Sequence, residues 1–109
     1  MPATHIPPPI DALVATINAG DTERLLSFFT HDAVVDDWGE EYVGLDAIRT
    51  WNDRELIGAK GVMTVRSAQA HGDKIAVVAD WASNFFTGPG RFEFTLAGGK
   101  IRRWQIREE

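Results

Sequence analysis

Ile10, Leu13, Val14 and Ile17 recur at three- and four-residue intervals behind Pro7-Pro8-Pro9, which predicts an amphipathic helix that Asn18-Ala19-Gly20 brings to an end. Asp21 then suits the N-cap of a second short helix carrying Leu25, Leu26, Phe28 and Phe29, because its carboxylate can accept from the first free backbone N–H groups. Ala33 to Asp37 is brief and β-branched and predicts a strand, broken by Gly39-Glu40-Glu41. From Leu45 to about Leu56 the apolar positions Leu45, Ile48 and Trp51 mark one face of a third helix, with Arg49, Asn52, Asp53 and Glu55 on its polar remainder, ending near Gly58.

Beyond that point the period changes. Val62 to Ala70, Lys74 to Thr87, Arg91 to Leu96 and Lys100 to Arg107 read as strands, separated by Gly72-Asp73, Gly88-Pro89-Gly90 and Gly98-Gly99 as turns. Helices first and a meander afterwards predict an α+β fold, a curved, mostly antiparallel sheet wrapped around three N-terminal helices. In the second of these strands Ala76, Val78, Asp80, Ala82, Asn84 and Phe86 share one face, and Ile75, Val77, Ala79, Trp81 and Phe85 share the other. Both faces are substantially apolar, so the outer one is expected to pack against a second copy of the chain, giving a homodimer.

A chain of 109 residues is the length of one ordinary domain, expected here over 10–109, with 1–9 as an extended arm. That arm has neither a basic segment nor an apolar core of the kind a signal peptide needs. Eleven basic against sixteen acidic side chains give a net charge of −5, which disfavours nucleic acid or an anionic membrane surface as partner. No apolar run approaches the ~20 residues of a bilayer span. Without cysteine there is no disulfide, thiolate metal site or cysteine nucleophile, and a cytoplasmic location is the default expectation.

The chemistry-bearing residues cluster where the first strand ends. Strand alternation puts Val35 and Asp37 on one face and Val34 and Asp36 on the other, so only one acid of the pair can point inward with Val35. Asp37 is the expected general base, since a carboxylate in an apolar pocket can have its pKa raised toward neutrality by desolvation; the alternative is a strand-end acid facing water. Asp80 sits in an apolar strand and needs a partner or a proton, either as a second pocket acid coupled to Asp37 or as the acceptor of a structural hydrogen bond. Trp38, Tyr42, Trp51, Phe92, Phe94 and Trp104 are the aromatics available as core or pocket wall, with Tyr42 the sole phenol.

The remaining motifs carry little. His5, His31 and His71 lack the spacing of a metal site, and no cofactor or metal is expected. Ser27, Ser67 and Ser83 have no nucleophile-elbow context. Gly88-Pro89-Gly90 precedes no helix and so reads as a hairpin rather than a phosphate cradle, while Arg102, Arg103 and Arg107 read as solvated or interface charges.

Three segments carry a family resemblance: the Phe29-x-x-Asp32-Ala33-Val34-Val35 lead-in to the first strand, the Tyr42-x-Gly44-x-Asp46-Ala47-Ile48-Arg49-x-Trp51 stretch, and the closing Gly99-Lys100-Ile101-x-x-Trp104 strand. Together they resemble the SnoaL-like family of the nuclear transport factor 2-like superfamily, from about Ile10 to Ile106. The resemblance implies a cone of curved sheet, cystatin-like in outline, with a pocket at the wide end and dimerisation through the outer face.

Ketosteroid isomerases of that superfamily use an aspartate at the end of the first strand as base, and matching from Asp32-Ala33 puts Asp37 there. Their oxyanion-holding tyrosine and protonated acid fall on Leu13 and Phe92, which cannot donate, so classical ketosteroid isomerase activity is not expected. In limonene epoxide hydrolases an arginine and two aspartates activate water. Asp80 matches one of the aspartates and Trp104 a pocket tryptophan, but Val78 and Ile106 replace the other members. The remaining resemblance is to polyketide cyclases and SnoaL-like proteins without an assigned reaction.

The expected function is binding of a hydrophobic small molecule, with cofactor-independent isomerase or cyclase chemistry on a carbonyl compound at Asp37 and Asp80 and with Trp38, Tyr42, Trp51, Phe92 and Trp104 contacting the ligand. The alternative is a non-catalytic ligand-binding or dimerisation module.

Overall fold

Pro7 and Pro9 offer their carbonyls to the first helical N–H groups, from Ile10 and Leu13, at 3.0 Å each, so the proline run feeds directly into α1 (Ile10–Ala19). The structure is a computed structural model that describes residues 5–108. Residues 1–4 of the expected arm lie outside the described residues, and Ile6 packs against the core. Gly20, at φ 75°, closes α1 in the left-handed conformation that glycine adopts at least cost.

Asp21 caps α2 (Thr22–Leu26) as its sequence position predicts, accepting from the Arg24 N–H at 3.1 Å. The helix is shorter than expected. It stops at Leu26, and Phe29 opens β1 (Phe29–Asp37) instead, where it pairs with Ile101.

A short strand absent from the sequence reading follows: β2 (Glu40–Val43), antiparallel to β1 across the two-residue turn Trp38-Gly39. Both turn residues have positive φ, 57° and 92°, the geometry that matches the right-handed twist of a hairpin. Four residues without apolar alternation give β2 no periodic signature. α3 (Leu45–Glu55) then buries Ile48 and Trp51, on the face predicted.

The remainder is β3 (Val62–His71), β4 (Lys74–Ala82), β5 (Thr87–Ala97) and β6 (Lys100–Arg107). The six strands form one sheet in the order β2-β1-β6-β5-β4-β3, antiparallel throughout except where β1 lies parallel to β6. The α+β fold class of the sequence reading holds.

One turn does not fall where glycine and proline suggested it. The chain reverses at Ser83–Phe86, where the Ser83 N–H donates to Phe86 O at 2.9 Å and the Ser83 hydroxyl accepts from the N–H groups of Phe85 and Phe86 at 3.3 Å each. Gly88-Pro89-Gly90 is strand, opposite Trp81, Asp80 and Ala79. Proline is tolerated there because the β5–β6 pairing begins only at Arg91, leaving β5 with β4 as its one strand neighbour.

The core is built on Trp104. Its ring meets Phe94 at 5.0 Å, Trp51 at 5.4 Å, Phe92 at 6.2 Å and Phe29 at 6.3 Å, tying α3 to three strands through edge and offset contacts. Among the described residues, no helix is long and apolar enough to cross a membrane.

Candidate functional site

Asp36 and Asp37 are adjacent and go to different places. Val35 is fully buried, and Asp37, two residues on, follows it to the concave side of the sheet. Asp36 points to the convex side, where it accepts from Arg103 Nη2 at 2.9 Å, from both terminal nitrogens of Arg107 at 3.0 Å, and from the Gly39 N–H at 2.8 Å. The guanidinium of Arg107 holds the Asp36 carboxyl below the usual carboxylate range, outweighing the opposite effect of burial. Arg103 and Arg107 are thus partners of a buried acid, a role beyond the solvated or interface charges expected and one that strand alternation alone could not reveal.

On the concave side a cavity of about 320 Å³ opens between the end of β1, the end of α3 and the Ser83–Phe86 turn, at the small end of the range for ligand sites. Its wall is formed by Trp51, Leu56, Trp81, Phe92 and Ile106, and its polar edge by Asp37, Glu55, Ser83 and Arg107. Trp38, Phe85 and Phe86 line it too, while remaining 57%, 74% and 53% exposed, as expected of a rim. Trp81 can lie where it does because residue 61 is glycine: a Cβ there would sit 1.9 Å from Trp81 Cη2.

Asp37 is fixed from the helix side. Trp51 Nε1 donates to Asp37 Oδ2 at 3.0 Å, so the residue that packs α3 on Trp104 also orients the acid. One turn further, Glu55 lines the same cavity and lies beside Asp37. Burial pushes the Glu55 carboxyl above its ordinary value, and the charge of Asp37 adds to the shift. Glu55 was read only as part of the polar face of α3. Its spacing of four from Trp51, which places both on one side of a helix, is the signal that could have found it.

The other expected site residues are dispersed. Asp80 is on the convex face of β4, half-exposed, and accepts from Arg66 Nε at 3.0 Å; the pairing with Asp37 does not occur, because residues 37 and 80 project from opposite faces of one sheet. Tyr42 lies outside the cavity lining, its ring 6.2 Å from Trp51 and its hydroxyl accepting from Arg54 Nη2 at 2.9 Å. Burial and, less strongly, Glu40 raise its phenol above the ordinary value. Trp104 is fully buried behind Phe92 and Trp51 rather than in the lining, and its indole N–H has no acceptor among the described residues. Of the residues singled out, Asp37, Trp38, Trp51 and Phe92 meet in the cavity. Among the described residues there is no cluster of His, Asp and Glu that could hold a metal ion.

A profile described as a SnoaL-like domain matches residues 10–104. Among solved structures, a candidate polyketide cyclase from Sinorhizobium meliloti is similar at 28% identity, with a TM-score of 0.86 over 94% of this chain and 95% of that one. The epoxide hydrolase/cyclase-like enzyme SalBIII, of pyran ring formation in salinomycin, shares the fold at 20% identity and a TM-score of 0.82, over 89% and 84%. A Mycobacterium tuberculosis protein, Rv0760c, solved with estradiol-17β-hemisuccinate, does so at 20% identity and a TM-score of 0.81, over 92% and 90%. No curated protein matches the sequence significantly.

Proposed function

The chain belongs to the SnoaL-like domain family, and on that premise we propose that its concave cavity binds a hydrophobic, ring-containing small molecule and that Asp37 acts on it as a general base. The observation that carries this reading is the position of Asp37, the one acid of an adjacent pair turned into an aromatic cavity and oriented there by the Trp51 indole. An oriented carboxylate against apolar walls suits removal of a proton from carbon next to a carbonyl, the first step of an isomerisation or an aldol-type ring closure. The step needs no cofactor. The similar structures of a candidate polyketide cyclase, of a cyclase-like enzyme and of a protein holding a steroid ester support the ligand class.

A second reading, a binding module without chemistry, is favoured by one observation. Leu13 is buried core and Phe92 is cavity wall, so neither offers a hydrogen bond to a developing oxyanion. The two readings part on solvent exchange. With cyclic ketones in D2O, the catalytic reading expects deuterium to enter next to the carbonyl with the wild-type protein and not with Asp37→Asn. Binding without exchange supports the module.

Half-buried Ala76 and Val78 and exposed Val62 on the convex face of β3 and β4 support association of two copies there, beside the Arg66–Asp80 and Lys74–Glu93 ion pairs. Sedimentation equilibrium is expected to return twice the monomer mass, and a single-copy mass would end that proposal.

A further inference from the structure

Glu55 is the polar group of the cavity that the reading above leaves without a task. It ends α3, lines the same wall as Asp37, and stands four residues after the tryptophan that orients Asp37. We propose that Asp37 and Glu55 work as one pair sharing a proton, in which Glu55 keeps the proton and presents it to the carbonyl oxygen of a bound ketone while Asp37 removes a proton from the neighbouring carbon. This deepens the reading of Asp37 as base and rests on it for the ligand class.

The surroundings of the two acids divide the roles. Glu55 faces Asp37 from β1, Glu40 and Tyr42 from β2, and Arg54 on its own helix. Burial, Asp37 and Glu40 all favour its neutral form, and Arg54 alone opposes them. Asp37 has the Trp51 N–H as a fixed donor and Arg107 nearby. Two neighbouring acids cannot both ionise at low cost, so the proton stays with Glu55, where burial, Asp37 and Glu40 outweigh Arg54.

Proton bookkeeping is closed within the pair. In the empty cavity the Glu55 O–H points to Asp37. A ketone whose carbonyl reaches Glu55 takes over that hydrogen bond, which leaves Asp37 free to accept a proton from the ligand. Asp37 then takes the proton of the adjacent C–H, the C–H electron pair becomes a carbon–carbon double bond while the carbonyl π pair moves to the oxygen, giving an enolate held by the Glu55 O–H, and Asp37 returns the proton to carbon. Glu55 supplies the neutral donor that Leu13 and Phe92 do not. The ligand class that fits is a neutral, ring-containing ketone with its rings against Trp81 and Phe92.

Carbon-detected NMR titration of protein labelled with ¹³C-glutamate, with Glu55 assigned by Glu55→Gln, tests the pair directly. Glu55 is expected to titrate above the other glutamates and to fall toward them in Asp37→Asn. Tryptophan fluorescence gives the second readout, with 2-acetonaphthone as probe. Affinity is expected to drop about fivefold as pH rises through the Glu55 midpoint, to be independent of pH in Glu55→Gln, whose amide still donates, and to stay at the low level in Glu55→Ala.

An ordinary Glu55 midpoint, a midpoint unmoved by Asp37→Asn, or pH-independent wild-type binding would each overturn the pairing. Failure of the base reading shows separately, as absence of deuterium exchange by the wild-type protein.

Discussion

Trp51 Nε1 and Asp37 Oδ2 are joined by a 3.0 Å hydrogen bond that links the middle of α3 to the last residue of β1. Trp51 is 1% exposed and its ring packs on Trp104, so the donor cannot move without disturbing the core. The cavity acid is thereby held by the same contact that docks the helix on the sheet.

Replacing Trp51 by Phe keeps an aromatic ring and removes the donor. Expected is a loss of about 1–2 kcal/mol in urea unfolding, from the charge-assisted hydrogen bond and the smaller ring. Ligand affinity and any exchange activity should fall as well, because Asp37 loses its orientation. A stability loss with unchanged activity would show that the indole serves packing alone.

Trp38 is a bulky residue at φ 57°, in the left-handed region that costs a non-glycine residue roughly 1–2 kcal/mol. More than half of its surface is exposed, so packing returns little for that strain. Trp38→Asn would create an Asn-Gly hairpin turn, the favoured sequence for two positive-φ residues. Expected is equal or higher stability, by up to about 1 kcal/mol, with roughly tenfold weaker binding of an aromatic ligand from the lost rim contact. Thermal unfolding and fluorescence titration of the same sample check both halves.

Gly61→Ala would push a methyl group into the Trp81 ring, 1.9 Å from Cη2. Overpacking of this kind costs about 1–3 kcal/mol, and the direction in which Trp81 can yield is the cavity. The variant is therefore expected to fold less stably and to lose larger ligands before smaller ones. Isothermal titration with a one-ring and a two-ring ketone would read the difference.

Asp36 gives the fold a dependence on acid. Its carboxyl titrates lower in the folded chain than in the unfolded one, mainly through the Arg107 hydrogen bonds. Its contribution is thus complete above the unfolded value of about 3.9 and disappears as pH falls through the lower folded value. Asp36→Asn should cost about 2–3 kcal/mol near neutrality, less than a fully buried pair because both arginines can regain water. The melting temperatures of wild type and variant should converge as pH is taken below 4. Parallel curves down to the lowest pH would contradict the assignment.

Much of the fold was legible because its signals are local. The spacing of Ile10, Leu13, Val14 and Ile17, the Asp21 cap and the Leu45–Trp51 face each act within one or two turns, and the structure has them where the sequence puts them. The misses are tertiary. β2 exists because a Trp-Gly turn lays four residues against β1, and Pro89 sits in a strand because β6 ends short of it.

At the site, alternation from Val35 correctly separated Asp37 from Asp36. Nothing local could show that Arg103 and Arg107 converge on Asp36, or that the two faces of β4 send Asp80 to Arg66 and Trp81 to the cavity. Glu55 was missed because a glutamate at the end of a helix usually means solvent, and only the curvature of the sheet brings Asp37 to it.

A crystal structure of the protein with a two-ring ketone such as 2-acetonaphthone is the most direct test of the central claim, that the concave cavity is the ligand site and Asp37 its working acid. The account predicts the rings between Trp81 and Phe92 and the carbonyl edge turned to Asp37 and Glu55. A ligand seated on the convex face beside Asp80, or a cavity closed by Trp38, Phe85 and Phe86 with no ligand in it at saturating concentration, would contradict it.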